Sequence, residues 1–218
     1  MTDYSIRCRA VSGPMADFGG AQPGKYIGCP PLRLRQHWAG PQAVPREGGV
    51  AYAGCASEGL CFYACLQDSD IFSRATADDQ RMWTLGDVVE FFVKPGRQRP
   101  DYWEIHLTPN GYMMDLYIAE RGAFLQGGTA AFAEALSHRS GSRFAVASFP
   151  DQRKWAAEIC IPWGAFGGSG APAAGVAWQF AVCRYNCNGG LENPELSSVA
   201  PFTVLSFHRH EEFLDLVF

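Results

Sequence analysis

At 218 residues, with 47% hydrophobic and 18% charged side chains, the chain is long enough to bury a substantial core and too apolar to be disordered. Its formal net charge of -4, with Lys and Arg scattered, offers no basic surface to a nucleic acid. No apolar run reaches the roughly 20 residues of a membrane-spanning helix, so neither nucleic acid nor membrane is an expected partner. The 24 glycines and 14 prolines suit a chain of many short strands that needs many turns.

The first residues, MTDYSIRCRAVSG, lack a basic stretch followed by an apolar one, which predicts either a cytoplasmic chain or a secreted one whose leader has been trimmed. Residues 3–11 alternate as a first strand, and residues 12–48 form a Gly- and Pro-rich wrap with a short strand at 32–38. A hairpin follows, 49–55 and 60–67 around Ser57-Glu58-Gly59, ending in Asp68-Ser69-Asp70. Eight cysteines (Cys8, Cys29, Cys55, Cys61, Cys65, Cys160, Cys183, Cys187) form no C-x-x-C pair. They read as buried, reduced thiols, with Cys183 and Cys187 the local partners if the chain is exported.

Residues 83–118 hold the clearest pattern: three strands of period-two alternation, interrupted by Pro95-Gly96 and by Pro109-Asn110-Gly111. Val89, Phe91 and Val93 separate from Val88, Glu90, Phe92 and Lys94. Trp103, Ile105 and Leu107 separate from Tyr102, Glu104 and His106, and Met114, Leu116 and Ile118 from Met113, Asp115 and Tyr117. One set is core. The other groups Glu90, Tyr102, Glu104, His106, Asp115 and Tyr117, more hydrogen-bonding and ring surface than an idle solvated face requires. Glu90 and Glu104, placed on adjacent strands, repel unless Arg184, Lys94 or a ligand intervenes.

Beyond 118, one helix is predicted at 129–139, with Thr129 as cap and Phe132 and Leu136 at i, i+4. Strands at 143–149, 155–161 and 176–186 follow, with a helical turn at 163–166. A long loop at 187–201, a short strand at 202–207 and a closing strand at 213–218 complete the chain. Many strands, one short helix and no strand–helix alternation predict an all-β, two-sheet antiparallel sandwich, immunoglobulin-like or jelly-roll-like, formed by residues 1–218 as one domain.

Six pieces in this order, LCFYACLQDSDIF, Trp83 with GDVVEFFVKPG, DYWEIHLTPNGYMMDLYI, KWAAEICIPWGAFG, WQFAVCRYN and FHRHEEFLDLVF, resemble the family 9 carbohydrate-binding modules and the wider DOMON-like superfamily. The resemblance covers residues 50–218 and leaves 1–49 as a variable wrap. It implies a sandwich with a sugar-binding face, often with structural calcium, in a protein that binds mono- or oligosaccharides without catalysis. Trp83 is placed like the family's first stacking tryptophan and Glu90 like its glutamate. Where a second tryptophan belongs, this chain has Ser197-Ser198-Val199-Ala200-Pro201, without an aromatic ring.

A sugar offers C–H faces to aromatic rings and a rim of hydroxyls to planar donors and acceptors. Trp83, Tyr102 and Tyr117 supply rings; Glu90, Glu104, His106, Asp115, Arg184 and Asn186 supply polar partners. Asp68 and Asp70 are the candidate calcium ligands, with solvated turn acids as the plainer reading. Two other readings are open. DOMON-like relatives that carry haem b place it between a methionine and a histidine or lysine, and Met82, Met113, Met114, His106 and His208 are available. Glu90 and Glu104 could also serve as acid and nucleophile of a glycosidase.

Overall fold

In the computed structural model, which describes residues 5–15, 18 and 23–218, the alternating stretch forms three consecutive antiparallel strands as its pattern predicts. The strands are β1 (Ser5–Arg7), β2 (Arg9–Ala10), β3 (Leu32–Arg33), β4 (Gly49–Cys55), β5 (Gly59–Gln67), β6 (Val88–Lys94), β7 (Tyr102–Leu107), β8 (Met113–Ile118), β9 (Arg143–Phe149), β10 (Lys154–Pro162), β11 (Ala177–Asn186), β12 (Glu195–Ser198) and β13 (Leu214–Val217). Helices α1 (Arg121–Gln126) and α2 (Gly128–Ser137) lie between β8 and β9. Neither is long and apolar enough to cross a membrane.

The strands make a two-sheet sandwich. One sheet has the order β1-β13-β11-β6-β7-β8, with β12 also paired to β11; the other has the order β2-β4-β5-β10-β9, with β3 paired to β4. Both are antiparallel except at one edge, where β1 pairs with β13 and β2 with β4 in parallel. Phe62 at the centre of β5 packs on Phe91 and Phe180 of the facing sheet, ring centroids 5.7 and 5.6 Å apart. Gly59 lets β5 start against β10, because a Cβ there would sit 2.2 Å from the Ile161 carbonyl oxygen.

The predicted first strand is broken at Cys8 into β1 and β2, one for each sheet, while residues 3 and 4 lie outside the described residues. Only Leu32–Arg33 of the predicted strand at 32–38 is extended; a 3-10 turn follows at His37–Ala39. The wrap covers the outer face of the second sheet. Tyr26 is fully buried there and donates its hydroxyl to Glu158 Oε1 at 2.8 Å, and Lys25 Nζ approaches the same oxygen at 2.9 Å.

Two other expectations are corrected. The single helix is a pair, because Glu120 caps α1 through bonds from Gly122 N and Ala123 N, and Gly128, at φ 58°, lets the chain turn into α2. The late strand is β12, inside the predicted loop. Residues 202–207 turn instead, with Phe202 and Phe207 both buried and their ring centroids 5.8 Å apart. All eight cysteines are unpaired, Cys183 and Cys187 included.

Candidate functional site

Cross-strand register decides which side chains share a face. In β6 and β7, Glu90 lies opposite His106 and Phe92 opposite Glu104; in β11, Cys183 lies opposite Glu90 and Tyr185 opposite Val88. Glu90, Phe92, Glu104, His106 and Tyr185 therefore point away from the second sheet. The two glutamates are diagonal neighbours rather than an opposed pair. What separates their charges is neither Lys94 nor Arg184 but His106, whose Nε2 lies 2.7 Å from Glu104 Oε1 and 3.4 Å from Glu90 Oε1. Lys94 turns its Nζ to the Gly96 and Arg97 carbonyls.

Asp115 belongs to the opposite face. The β7–β8 turn closes with Leu107 opposite Met113, so Ile105 meets Asp115 and Glu104 meets Leu116. A shift of one residue moves every side chain of a strand to the other face. Asp115 accepts from Ser140 N at 2.7 Å, Ser140 Oγ at 2.6 Å and Arg139 Nη1 at 3.3 Å, and so fastens the end of the helical insertion. Tyr117 travels with it and bonds Asp101.

Arg184 and Asn186 also point between the sheets, since Arg184 lies opposite Val89. Arg184 Nη2 donates to Asp68 Oδ2 and to Asn186 Oδ1, both at 3.0 Å, and its Nη1 donates to the Glu47 carbonyl at 3.1 Å. Asp68 Oδ2 also accepts from Trp155 Nε1, and its Oδ1 accepts from Asp70 N. Asp70 turns its Oδ2 to Gly189 N. A carboxylate already held by a guanidinium and two N–H donors is poorly placed to bind calcium, so the residues present at Asp68 and Asp70 do not fit that ion.

Above Glu90 and Glu104 lies a pocket of 530 Å³. Glu90, Phe92, Glu104 and Leu116 form its floor. Trp83 and Arg81, from the 3-10 turn that leads into β6, stand on one side, and Phe124 and Phe132 of the helices on another. Tyr185 and the Ser206–His208 segment close it. The rings are packed edge to face: Trp83 lies 5.5 Å from the His106 ring and 6.0 Å from Phe132, and the Arg81 guanidinium sits 4.7 Å from the Phe132 centroid. Tyr102, fully buried, does not line the pocket. Its hydroxyl bonds His208 Nδ1 at 2.9 Å and so aims that imidazole at the pocket.

Burial pushes the Glu90 carboxyl up, to about 8, and the Glu104 charge adds to the rise while His106 opposes it. Burial acts on Glu104 in the same direction, but His208 and the bond from His106 outweigh it and hold its carboxyl below the usual range. Burial works against a charged His106, yet the two glutamates raise it above an ordinary imidazole. The cluster thus favours the charged forms of Glu104 and His106 and disfavours a charged Glu90. Glu104 Oε2 has no hydrogen-bond partner although Glu104 is only 5% exposed; His208 Nδ1, at 3.7 Å, is beyond hydrogen-bonding reach.

Of the residues proposed from sequence, Trp83, Glu90 and Glu104 line the pocket, His106 lies beneath it, and Tyr102 supports one wall. Asp115, Arg184 and Asn186 lie elsewhere. His208, signalled by the Phe207-His208 ending, and Tyr185 were not grouped with the polar face. Arg81, Phe124 and Phe132 carried no local signal. No described methionine lines the pocket, and Met82 and Met114 are fully buried.

Comparison with solved structures places this architecture. A family 9 carbohydrate-binding module from Caldicellulosiruptor kristjanssonii in complex with glucose superposes with a TM-score of 0.64 at 11% identity, over 98% of this chain and 94% of that one. The fold is that of a family 9 carbohydrate-binding module. The module in complex with cellotriose superposes with a TM-score of 0.63 at 12% identity, over 97% of this chain and 92% of that one. A candidate carbohydrate-binding protein from Bacteroides uniformis reaches 0.64 at 17% identity over 98% of both chains. No family sequence model matches the chain, and no curated protein does. At these identities the likeness lies in the family 9 backbone.

Proposed function

We propose that the protein is a non-catalytic carbohydrate-binding protein that holds a monosaccharide, or one unit of an oligosaccharide, in the pocket above Glu90 and Glu104. The observation that carries this reading is the composition of the pocket. Its walls are aromatic rings, while its floor presents a buried carboxylate oxygen, Glu104 Oε2, with no donor of its own. An apolar wall takes the C–H face of a pyranose, and a sugar hydroxyl satisfies the carboxylate. The volume of 530 Å³ suits a small ligand. Trp83 and Phe132 do the stacking, Glu104 and His208 accept and donate to hydroxyls, and Arg81 stands at the rim.

Catalysis by the two glutamates is disfavoured by the position of His106. Its Nε2 lies 2.7 Å from Glu104 Oε1 and 3.4 Å from Glu90 Oε1, so the imidazole already engages both of the carboxyl groups that would have to act as acid and nucleophile.

Calorimetric titration with glucose and cellotriose, the sugars named for the similar modules, followed by a glycan array, tests the proposal. Binding tighter than about 1 mM to at least one sugar is expected, with a loss of about tenfold or more in Trp83→Ala and in Glu104→Gln. A folded sample that binds no sugar on the array removes the reading. Turnover of an aryl glycoside that disappears in Glu90→Gln would replace it with the glycosidase.

A further inference from the structure

We propose that Glu90, Glu104 and His106 form a binding site for a divalent first-row transition-metal ion beneath the pocket. One donor atom from each lies within 4.8 Å of the others. His106 Nε2 is 2.7 Å from Glu104 Oε1 and 3.4 Å from Glu90 Oε1. Ligands held at about 2.0–2.2 Å from a common ion stand roughly 3–3.5 Å apart, so His106 Nε2 and Glu90 Oε1 already have that spacing, and Glu104 Oε1, hydrogen-bonded to Nε2 without an ion, reaches it by a small side-chain adjustment.

The donors are held by the sheet. Glu90 and His106 are directly paired across β6 and β7, and Glu104 is two residues from His106 on the same strand. All three are at least 95% buried, with relative exposures of 3%, 5% and 0%. The side chains are thus preorganised on rigid elements and need not be gathered at an entropic cost. Glu104 Oε2, buried and without a hydrogen-bond partner, is the independent sign that something is missing from the arrangement. A cation that accepts Oε1 and Oε2 of Glu104 together, or Oε1 alone with Oε2 turned to a bound ligand, satisfies it.

The donor set selects the class of ion. Two carboxylates and one imidazole suit zinc, manganese, iron or cobalt better than calcium or magnesium, which prefer oxygen alone. Glu90 and Glu104 line the pocket, which provides the entry path, and three protein donors leave coordination positions on that side. The inference does not depend on which molecule occupies the pocket.

The experiment uses the full, tag-free chain, stripped with EDTA and then titrated with zinc by calorimetry and with cobalt by visible absorption. One ion per chain is expected, with a cobalt d–d band and a rise in Tm, and Glu104→Gln and His106→Gln each weaken binding by about tenfold or more. The absence of stoichiometric binding to the folded chain overturns the site, as does binding that is unchanged in the folded variants. Should His106→Gln not fold, the near-isosteric Glu90→Gln reads the same loss. Sugar titration in EDTA is run alongside. Sugar binding without metal binding refutes the metal site and leaves the carbohydrate reading standing, and the reverse result separates them the other way.

Discussion

Asp87 sits one residue ahead of β6 and commits both carboxylate oxygens to backbone: Oδ2 accepts from Phe72 N at 2.7 Å and Oδ1 from Cys187 N at 2.8 Å. Two N–H donors favour the ionised form, yet burial, with the Asp68 charge behind it, pushes the carboxyl up to about 7. Because this lies above the ordinary aspartate value of 3.8, Asp87 binds a proton more readily in the native state than in the unfolded chain. Its contribution to stability is fully present below about pH 4 and is lost as pH rises through about 7. Asp87→Asn can accept only one of the two N–H groups, which predicts a loss of about 1–3 kcal/mol at pH 5. Thermal melts of both proteins from pH 5 to 8 check it: the gap narrows as pH rises, whereas parallel profiles would refute the assignment. The importance of Glu90 was legible as that of a charged residue within an apolar strand. The role of His106 was not, because a histidine's partner is set by register across strands and not by its own neighbours in sequence.

At the scale of elements, the helical insertion behaves as a wall hung on β8. Phe124 and Phe132 face the pocket, and Asp115 secures the far end of the insertion through Ser140 and Arg139. Asp115→Ala leaves the Ser140 N–H and hydroxyl without their acceptor, at a cost of about 1–3 kcal/mol. Limited proteolysis should then cut within residues 121–139 well before it does in the parent chain, and sugar affinity should fall even though Asp115 touches no ligand. Unchanged cleavage would show that the insertion is held by other contacts. The face of β6 could be read from sequence because Val89, Phe91 and Val93 are uniformly apolar while Glu90 and Lys94 are not. On β8 both alternating sets carry large apolar side chains, Met114, Leu116 and Ile118 against Met113 and Tyr117. The alternation alone could not choose between them. The β7–β8 turn chose, through the bond that Tyr112 N makes to Thr108 Oγ1 and the one that Thr108 Oγ1 makes to Asn110 Oδ1.

Across the whole molecule, Arg184 is the tie between parts that touch nowhere else in sequence. It reaches from β11 to Asp68 at the end of β5 and to the Glu47 carbonyl where the chain enters β4, while Trp155 of β10 holds the other side of Asp68. A fully buried ion pair adds little over an apolar filling, but removal of one partner strands the other's charge. Arg184→Ala should cost about 3–5 kcal/mol, and the double variant Arg184→Met with Asp68→Leu should recover part of that loss. Urea titrations with equal slopes provide the comparison. From sequence, Arg184 looked like a ligand because it follows an apolar strand. Only the inward position of Phe180 and Val182, and the arrival of Asp68 from the other sheet, reveal it as a buried tie.

The parallel edge where β1 meets β13 also governs when this sheet can be closed. Ser5 pairs with Asp215 and Arg7 with Val217, which lie about 210 residues apart along the chain. At a synthesis rate of about 5–20 residues per second, the first strand emerges and then waits roughly 10–40 s for its partner to be made. β11 is finished only about 28 residues before β13 begins, so for roughly the last one to six seconds of that interval its Ala177–Phe180 segment lacks its β13 neighbour, and its free backbone groups are a template for a strand from another nascent chain. This edge of the sheet is therefore closed last, and a holding chaperone would have it as its natural target.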